Sequence, residues 1–210
     1  YILINFITYG SFFIYVFLKK FSTKNKNPFL YGWLFGFGYF LTNLYWITIS
    51  LTFDENFKIL IPFALIFIPM FLGVFYGLST YLFFMINIKK PLSNLFLFSL
   101  LFGLTEFLRG NILTGFPWNL IAFSFFQNLE ILQILSFIGT YGFNILCLSF
   151  FISPAILIIR KSRKEIFVCI CFLLSPIFLF YFGSSNIKSF QSSNMIENDY
   201  DANRASKTGT

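Results

Sequence analysis

Long apolar stretches, separated by short charged or proline-containing segments, dominate the pattern of the chain. A helix needs about 20 apolar residues to cross a bilayer, and helices can do so with every backbone group hydrogen-bonded. The pattern therefore predicts an all-α protein, a polytopic transmembrane helix bundle of about six spans. The six stretches lie at about residues 1–18, 29–52, 60–87, 92–108, 129–159 and 166–182.

The composition narrows the class of protein further. Hydrophobic residues make up 57% of the 210 positions, phenylalanine alone supplies 35, and charged residues make up 11%. Soluble domains carry about 25% charged residues. A chain of this size cannot bury so much apolar surface from water. The composition excludes a soluble enzyme, a disordered protein and a disulfide scaffold, and leaves an integral membrane protein.

The distribution of positive charge predicts the orientation in the membrane. Ten of the fifteen basic residues fall in alternate loops, and such loops lie in the cytoplasm by the positive-inside rule. The net charge of +7 is therefore interpreted as membrane anchoring, and no nucleic-acid partner is predicted. The six predicted spans then place the C-terminus outside the cytoplasm. The ten residues are Lys19, Lys20, Lys24, Lys26, Lys89, Lys90, Arg160, Lys161, Arg163 and Lys164.

A change of composition near residue 184 predicts two regions. Residues 1–183 would form the transmembrane bundle, and residues 184–210, rich in Ser and Asn with scattered acidic groups, would form a flexible extracytoplasmic tail. The first apolar stretch opens at Tyr1 without Met or a basic flank, so we expect that the chain is incomplete at its N-terminus.

The densest group of polar residues is T-E-F-L-R-G-N-I-L-T-G-F-P-W at 105–118, at the outer end of the fourth span. Glu106 and Arg109 are three residues apart and therefore share a helix face. One hypothesis is an interfacial ion pair at the helix end. The other is a lipid-headgroup site, in which the guanidinium binds a phosphate. Further candidates at headgroup depth are Thr114, Phe116, Pro117, Trp118, Tyr45 and Trp46, although an aromatic belt explains the tryptophans without a function.

The sequence offers little catalytic apparatus of its own. Histidine is absent, which removes the commonest general base and metal ligand. The three cysteines, Cys147, Cys169 and Cys171, all lie in apolar stretches and are interpreted as small buried residues. No catalytic residue, metal or cofactor is therefore predicted. On these residues the chain binds or holds something in a membrane.

The motif at 105–118 closely resembles the signature of apolipoprotein N-acyltransferases. The segments G-W-L-F-G-F-G-Y-F-L-T-N-L-Y-W-I-T-I-S at 32–50 and I-G-T-Y-G-F-N at 138–144 are similar to neighbouring membrane segments of that family. The resemblance covers about residues 1–183. It implies a bacterial inner-membrane enzyme whose partners are a phospholipid acyl donor and a diacylglyceryl lipoprotein substrate.

The resemblance also implies how the chemistry would be divided. In this family the catalytic residues are a Glu-Lys-Cys triad in an extracytoplasmic nitrilase-like domain. The cysteine takes the acyl group as a thioester, and the lipoprotein's α-amino group then attacks it. No position of this chain matches the triad. We therefore expect that the chain alone is inactive and that 184–210 is the start of a truncated or degenerate catalytic region.

Two alternatives belong to other classes of protein. A small transporter-like bundle is disfavoured because no predicted span carries a charge near its centre, as ion pathways usually do. A non-catalytic lipid-binding bundle is the other alternative.

Overall fold

A computed structural model of the chain describes residues 2–22, 27–112, 115, 117–159 and 162–208, with side chains in the last helix described as far as residue 193 and at residue 195. The described residues form helices and turns without a strand, so the prediction of an all-α bundle is confirmed. Short 3-10 helices lie at Glu55–Leu60 and Ile121–Phe125. The α-helices are α1 (Ile2–Lys20), α2 (Pro28–Asn43), α3 (Ile47–Ser50), α4 (Ile61–Met85), α5 (Pro91–Asn111), α6 (Leu129–Leu132), α7 (Leu135–Ile152), α8 (Ala155–Ile159) and α9 (Arg163–Thr208).

Five helices in the described part of the chain are long and apolar enough to cross a membrane. They are α1, α4 with its preceding 3-10 helix, α5, α7 and α9 as far as Ser193. Proline begins two of the bundle's helices, at Pro28 of α2 and Pro91 of α5, where its missing N–H costs no intrahelical hydrogen bond. Lys19 and Lys20 occupy the last turn of α1, where positive charge interacts favourably with the helix dipole.

The predicted span at 29–52 is divided in the structure. Its main helix, α2, has 16 residues and is about 24 Å long, and the chain turns before the short helix α3. The pair still runs antiparallel to α4 along much of its length. The Thr80 hydroxyl donates a hydrogen bond to the Pro28 carbonyl at 2.8 Å, and the Trp33 indole N–H donates to the Met70 carbonyl at 3.1 Å.

The predicted span at 129–159 is also divided, into α6, α7 and α8. Gly139 interrupts the helical dihedrals with φ 67° and ψ 173°, a conformation that residues with a Cβ rarely adopt. Pro154 follows the end of α7 and cannot donate the next helical hydrogen bond. A continuous apolar stretch therefore contains two breaks that its length alone does not reveal.

Helix α9 extends beyond the membrane-sized segment. It packs against the bundle as far as Gly183, where a Cβ would collide with the Glu130 main chain. The backbone of α9 is helical through Thr208. The physical reason is that extending a formed helix costs little, and no proline or glycine interrupts the sequence between Gly183 and Gly209.

The interior of the bundle is built largely from aromatic rings. Phe12 and Phe35 stack with their centroids 3.9 Å apart, and Phe98 and Phe102 stack at 4.3 Å, which joins α1 to α2 and fills the inner face of α5. Large apolar side chains also cover the outside, Phe63 and Phe178 among them. Such exposed apolar faces are typical of helices that contact lipid.

Candidate functional site

The two charged residues of the 105–118 motif lie inside the bundle. The side chain of Glu106 is 0% exposed and that of Arg109 is 2% exposed, both on the inward face of α5 near its end. Buried charges are costly unless hydrogen-bonding partners surround them. Their partners therefore decide what the site can do.

Glu106 is held by side chains from two other helices. The Tyr76 hydroxyl of α4 donates to Oε1 at 2.7 Å, and Nδ2 of Asn144 in α7 donates to Oε2. The Tyr76 oxygen also lies 3.2 Å from the hydroxyl of Tyr9 in α1. Oδ1 of Asn144 accepts a hydrogen bond from the N–H of Ala122 at 3.1 Å. We call Tyr9, Tyr76, Glu106 and Asn144 the polar network; it connects α1, α4, α5 and α7 and reaches the 3-10 helix Ile121–Phe125.

Arg109 holds the loop that follows α5 and contains Trp118, which we call the Trp118 loop. Its Nη1 donates to the Trp118 carbonyl at 2.8 Å, and its guanidinium carbon lies 5.1 Å from the centroid of the Phe40 ring. A guanidinium over an aromatic face is attracted by the ring quadrupole. These contacts come from the loop and from α2, so Arg109 is oriented by elements other than its own helix.

The loop itself depends on two residues with positive φ. Gly115 has φ 73°, and a Cβ there would lie 2.5 Å from the Gly110 carbonyl oxygen, so glycine is required both by conformation and by space. Asn119 has φ 58°, and its carbonyl accepts a hydrogen bond from the Tyr39 hydroxyl at 3.0 Å. Pro117 between them is exposed. The predicted candidates Thr114 and Phe116 lie outside the described residues.

The structure brings together two aromatic candidates from separate parts of the sequence. The rings of Trp46 and Trp118 meet edge to face with centroids 5.8 Å apart. Trp118 is 54% exposed, and Trp46 and the adjacent Tyr45 are also exposed. Exposed tryptophans beside apolar spans are typical of the membrane interface. The carbonyl of Trp118 is thus fixed by Arg109 while its indole stays free to meet lipid.

A cavity of about 500 Å³ lies next to this loop. None of its lining residues is charged, and its amides and hydroxyls present both hydrogen-bond donors and acceptors. Such a lining suits the uncharged polar parts of a lipid, such as esters and hydroxyls. The polar lining residues are Asn5, Tyr39, Asn43, Asn119, Ser124, Gln127 and Asn128.

Sequence reasoning missed most members of the polar network. Apolar stretches contain Tyr9, Tyr76 and Asn144, and a single Tyr or Asn in such a stretch is usually interpreted as a residue of the packed interior. Two weak signals existed: Tyr76 adjoins Gly77 in a glycine-spaced segment, and Asn144 closes the 138–144 segment that resembles the acyltransferase family. Neither signal pairs these residues with Glu106.

The cysteines and possible metal ligands add no further site. Cys147 and Cys169 are buried as predicted, whereas the prediction of burial is wrong for Cys171, which is exposed. In the described part of the chain, no group of three or more Cys, Asp or Glu side chains is placed to hold a metal ion.

Comparison with known proteins gives a consistent pattern. Residues 3–153 match a family model described as the N-terminal domain of apolipoprotein N-acyltransferase. A protein of that name from Allorhizobium ampelinum is 34% identical over 147 residues, which are 70% of this chain and 28% of the relative. One from Rhodopseudomonas palustris is 39% identical over 130 residues, 60% of this chain and 24% of the relative. One from Rickettsia prowazekii is 40% identical over 115 residues, which are 54% of this chain and 23% of the relative. The match therefore spans about a quarter of the length of these relatives.

Proposed function

Because the chain belongs to the apolipoprotein N-acyltransferase family, we propose that it forms the membrane part of an enzyme that acylates lipoproteins. The reaction would move an acyl chain from a phospholipid to the N-terminal diacylglyceryl-cysteine of a lipoprotein in the bacterial inner membrane. The observation that carries this proposal is the family match over residues 3–153, which contains both the 105–118 motif and the polar network.

The bundle's task in this proposal is to anchor and to position, and the chemistry belongs elsewhere. The family resemblance implies a Glu-Lys-Cys triad in a nitrilase-like domain, and no residue of 1–210 matches it. Acyl transfer through a thioester needs an activated thiolate with a base beside it. Cys147 and Cys169 are buried, the exposed Cys171 lies within the apolar candidate span of α9, and the sequence contains no histidine. Residues 1–210 by themselves are therefore expected not to transfer acyl chains.

Arg109 and Glu106 would act as positioning residues for the lipid-facing loop. Arg109 holds the Trp118 carbonyl, and the network around Glu106 holds α5 against α4 and α7. The exposed Trp46 and Trp118 rings and the uncharged cavity beside them would then form one wall of a lateral path for lipid. Thr114, Phe116 and Pro117 remain candidates for lipid contact in this proposal.

The test is Arg109→Ala made at the matching position of an intact relative. Without the guanidinium the Trp118 loop loses its hydrogen-bonded anchor, and small misplacements near a reacting centre slow a reaction strongly. We therefore expect lipoprotein N-acylation to fall about tenfold or more while the amount of protein stays normal. Mass spectrometry of a lipoprotein measures this. Lys58→Gln, at an exposed lysine of another segment, is the control and should leave acylation unchanged. Full acylation with Arg109→Ala would restrict Glu106 and Arg109 to a role in folding.

The expected inactivity of the 210 residues needs its own test. The chain would be expressed in a strain depleted of its apolipoprotein N-acyltransferase, and N-acylation of a lipoprotein would be read by mass spectrometry. We expect no rescue. Rescue by these residues alone would contradict the proposal that the catalyst lies outside them.

A further inference from the structure

A second recess lies at the end of the bundle opposite the Trp118 loop. It has a volume of about 380 Å³ and is lined by Phe17, Leu18, Phe21 and Ser22 at the end of α1 and by Lys89 in the segment before α5. We call these five residues the basic groove. Its walls combine apolar surface with one exposed ammonium group, and neither is used by the proposed acyl-transfer function.

A buried hydrogen-bonded clamp fixes the two walls of the basic groove relative to each other. The Lys20 ammonium, 6% exposed, donates to Oδ1 of Asn94 at 2.9 Å and lies 3.9 Å from the centroid of the Phe83 ring. Nδ2 of the fully buried Asn94 donates to the carbonyls of Ile88 and Lys90 at 2.7 and 2.8 Å. Because these carbonyls flank Lys89, the clamp ties its segment to the end of α1. The groove is therefore preorganised.

The charged residues of the two segments that form the basic groove have one sign. Lys19, Lys20, Lys89 and Lys90 lie in the two segments that form it, residues 15–22 and 86–94, and those segments contain no Asp or Glu. The Lys89 side chain is exposed. A cluster of ammonium groups without carboxylates favours an anionic occupant, and an ammonium group binds a phosphate as a compact point charge.

The position of the basic groove limits what can reach it. It lies where one candidate membrane span, α1, ends and another, α5, begins, so it faces the headgroup layer of the bilayer. Leu18, 58% exposed, and Phe21 present apolar surface beside the lysine. Basic pockets between membrane helices are suited to anionic headgroups, and the apolar wall is suited to an acyl chain.

We propose that the basic groove, with Lys89 on one wall and Leu18 and Phe21 on the other, binds an anionic phospholipid of the bilayer. Lys89 contacts the phosphate, and the apolar wall takes the upper part of an acyl chain. The lipid bound there is a structural lipid, separate from any acyl donor at the other end of the bundle. This site is independent of the proposed acyl transfer, because it shares no residue with the polar network or the Trp118 loop.

Native mass spectrometry of the 210-residue chain in neutral detergent tests the site. Phosphatidylglycerol and phosphatidylcholine with identical acyl chains are offered in equal amounts. We expect phosphatidylglycerol to be retained preferentially, and Lys89→Gln to lower the retained ratio about fivefold, the effect of one lysine near a headgroup. Lys58→Gln, at an exposed lysine ion-paired with Glu55, is the matched control and should leave the ratio unchanged.

A second variant distinguishes the contribution of the apolar wall to lipid binding from the contribution of the Lys89 charge. Leu18→Asn should reduce retention of both lipids while keeping the preference for phosphatidylglycerol. Equal retention of the two lipids by the unmodified chain would overturn the proposal, as would an unchanged ratio with Lys89→Gln or unchanged retention with Leu18→Asn. Equally tight binding of glycerol 3-phosphate would indicate a site for free phosphate instead. A second copy of the chain retained in place of lipid would indicate a dimer contact.

Discussion

One phenol oxygen connects two parts of the buried site. The Tyr76 hydroxyl lies 2.7 Å from Glu106 and 3.2 Å from the Tyr9 hydroxyl, so it joins α1, α4 and α5 at a single atom. A buried carboxylate that loses a donor retains its desolvation cost. Tyr76 should therefore contribute more to stability than an average tyrosine in an apolar stretch.

Tyr76→Phe tests this at the residue scale. We expect the substitution to lower the free energy of unfolding by about 1–3 kcal/mol, because Glu106 keeps Asn144 but loses its phenolic donor. In detergent this should lower the Tm by about 2–12 °C. Tyr81→Phe on the same helix removes an exposed hydroxyl and is the matched control. Equal Tm values for the two variants would show that the Tyr76 hydrogen bond adds nothing measurable.

At the scale of elements, close approach of α2 to α4 depends on small residues. A Cβ at Gly36 would lie 2.9 Å from both the Gly73 Cα and the Tyr76 Cβ, and a Cβ at Gly73 would lie 3.0 Å from the Trp33 carbonyl oxygen. Such glycine-mediated contact allows helix backbones to pack closely in a membrane. The spacings Gly32-x-x-x-Gly36 and Gly73-x-x-x-Gly77 in the sequence indicate close helix contact, but they do not identify the partner helix.

Gly36→Ala should destabilise the bundle, because the added methyl group meets backbone and the stem of Tyr76, which cannot move away without separating the helices. Overpacking of this kind costs about 1–3 kcal/mol. Gly38→Ala on the same helix is the control: its Cβ meets nothing within 4 Å, so it should be neutral or slightly stabilising. Thermal unfolding in detergent measures both, and a Gly36→Ala chain as stable as Gly38→Ala would contradict the close packing.

For the whole molecule, the side of the membrane on which the C-terminal part lies depends on whether α2 crosses the bilayer. Among the residues that the structure describes, five helices have the length and apolarity of a span, and α2 is shorter. Its antiparallel packing along α4 supports a crossing by α2 and α3 together. With that crossing, the positive-inside rule predicts from the sequence that the loops carrying the ten basic residues lie in the cytoplasm.

Reporter fusions after Gly183 test this orientation. Alkaline phosphatase, which is active outside the cytoplasm, should be active there, and green fluorescent protein, which fluoresces inside, should be dark. The same reporters fused after Lys90 are the internal control and should give the opposite result. A fluorescent fusion after Gly183 would mean an odd number of crossings and would remove α2 from the count.

The sequence alone specifies the helical membrane class, the approximate positions of the apolar stretches and the resemblance to the family, because these follow from apolar length, charge placement and a local motif. It also singled out Glu106, Arg109, Trp46 and Trp118. The helix breaks at 44–46 and at Gly139 were not predicted, since a break inside an apolar stretch leaves the composition unchanged.

The packing of the helices fixes which partners these residues have. It pairs Glu106 with Tyr76 and Asn144, which are 30 and 38 residues away, and brings the Trp46 and Trp118 rings together. It also joins Lys20 to Asn94, 74 residues apart, which fixes the basic groove. The physical reason is that apolar patterning fixes which residues enter the membrane, whereas the packing of helices against one another fixes which buried polar groups meet. In a bundle where almost every helix face is apolar, the sequence carries little information about which helix faces, and so which polar groups, come into contact.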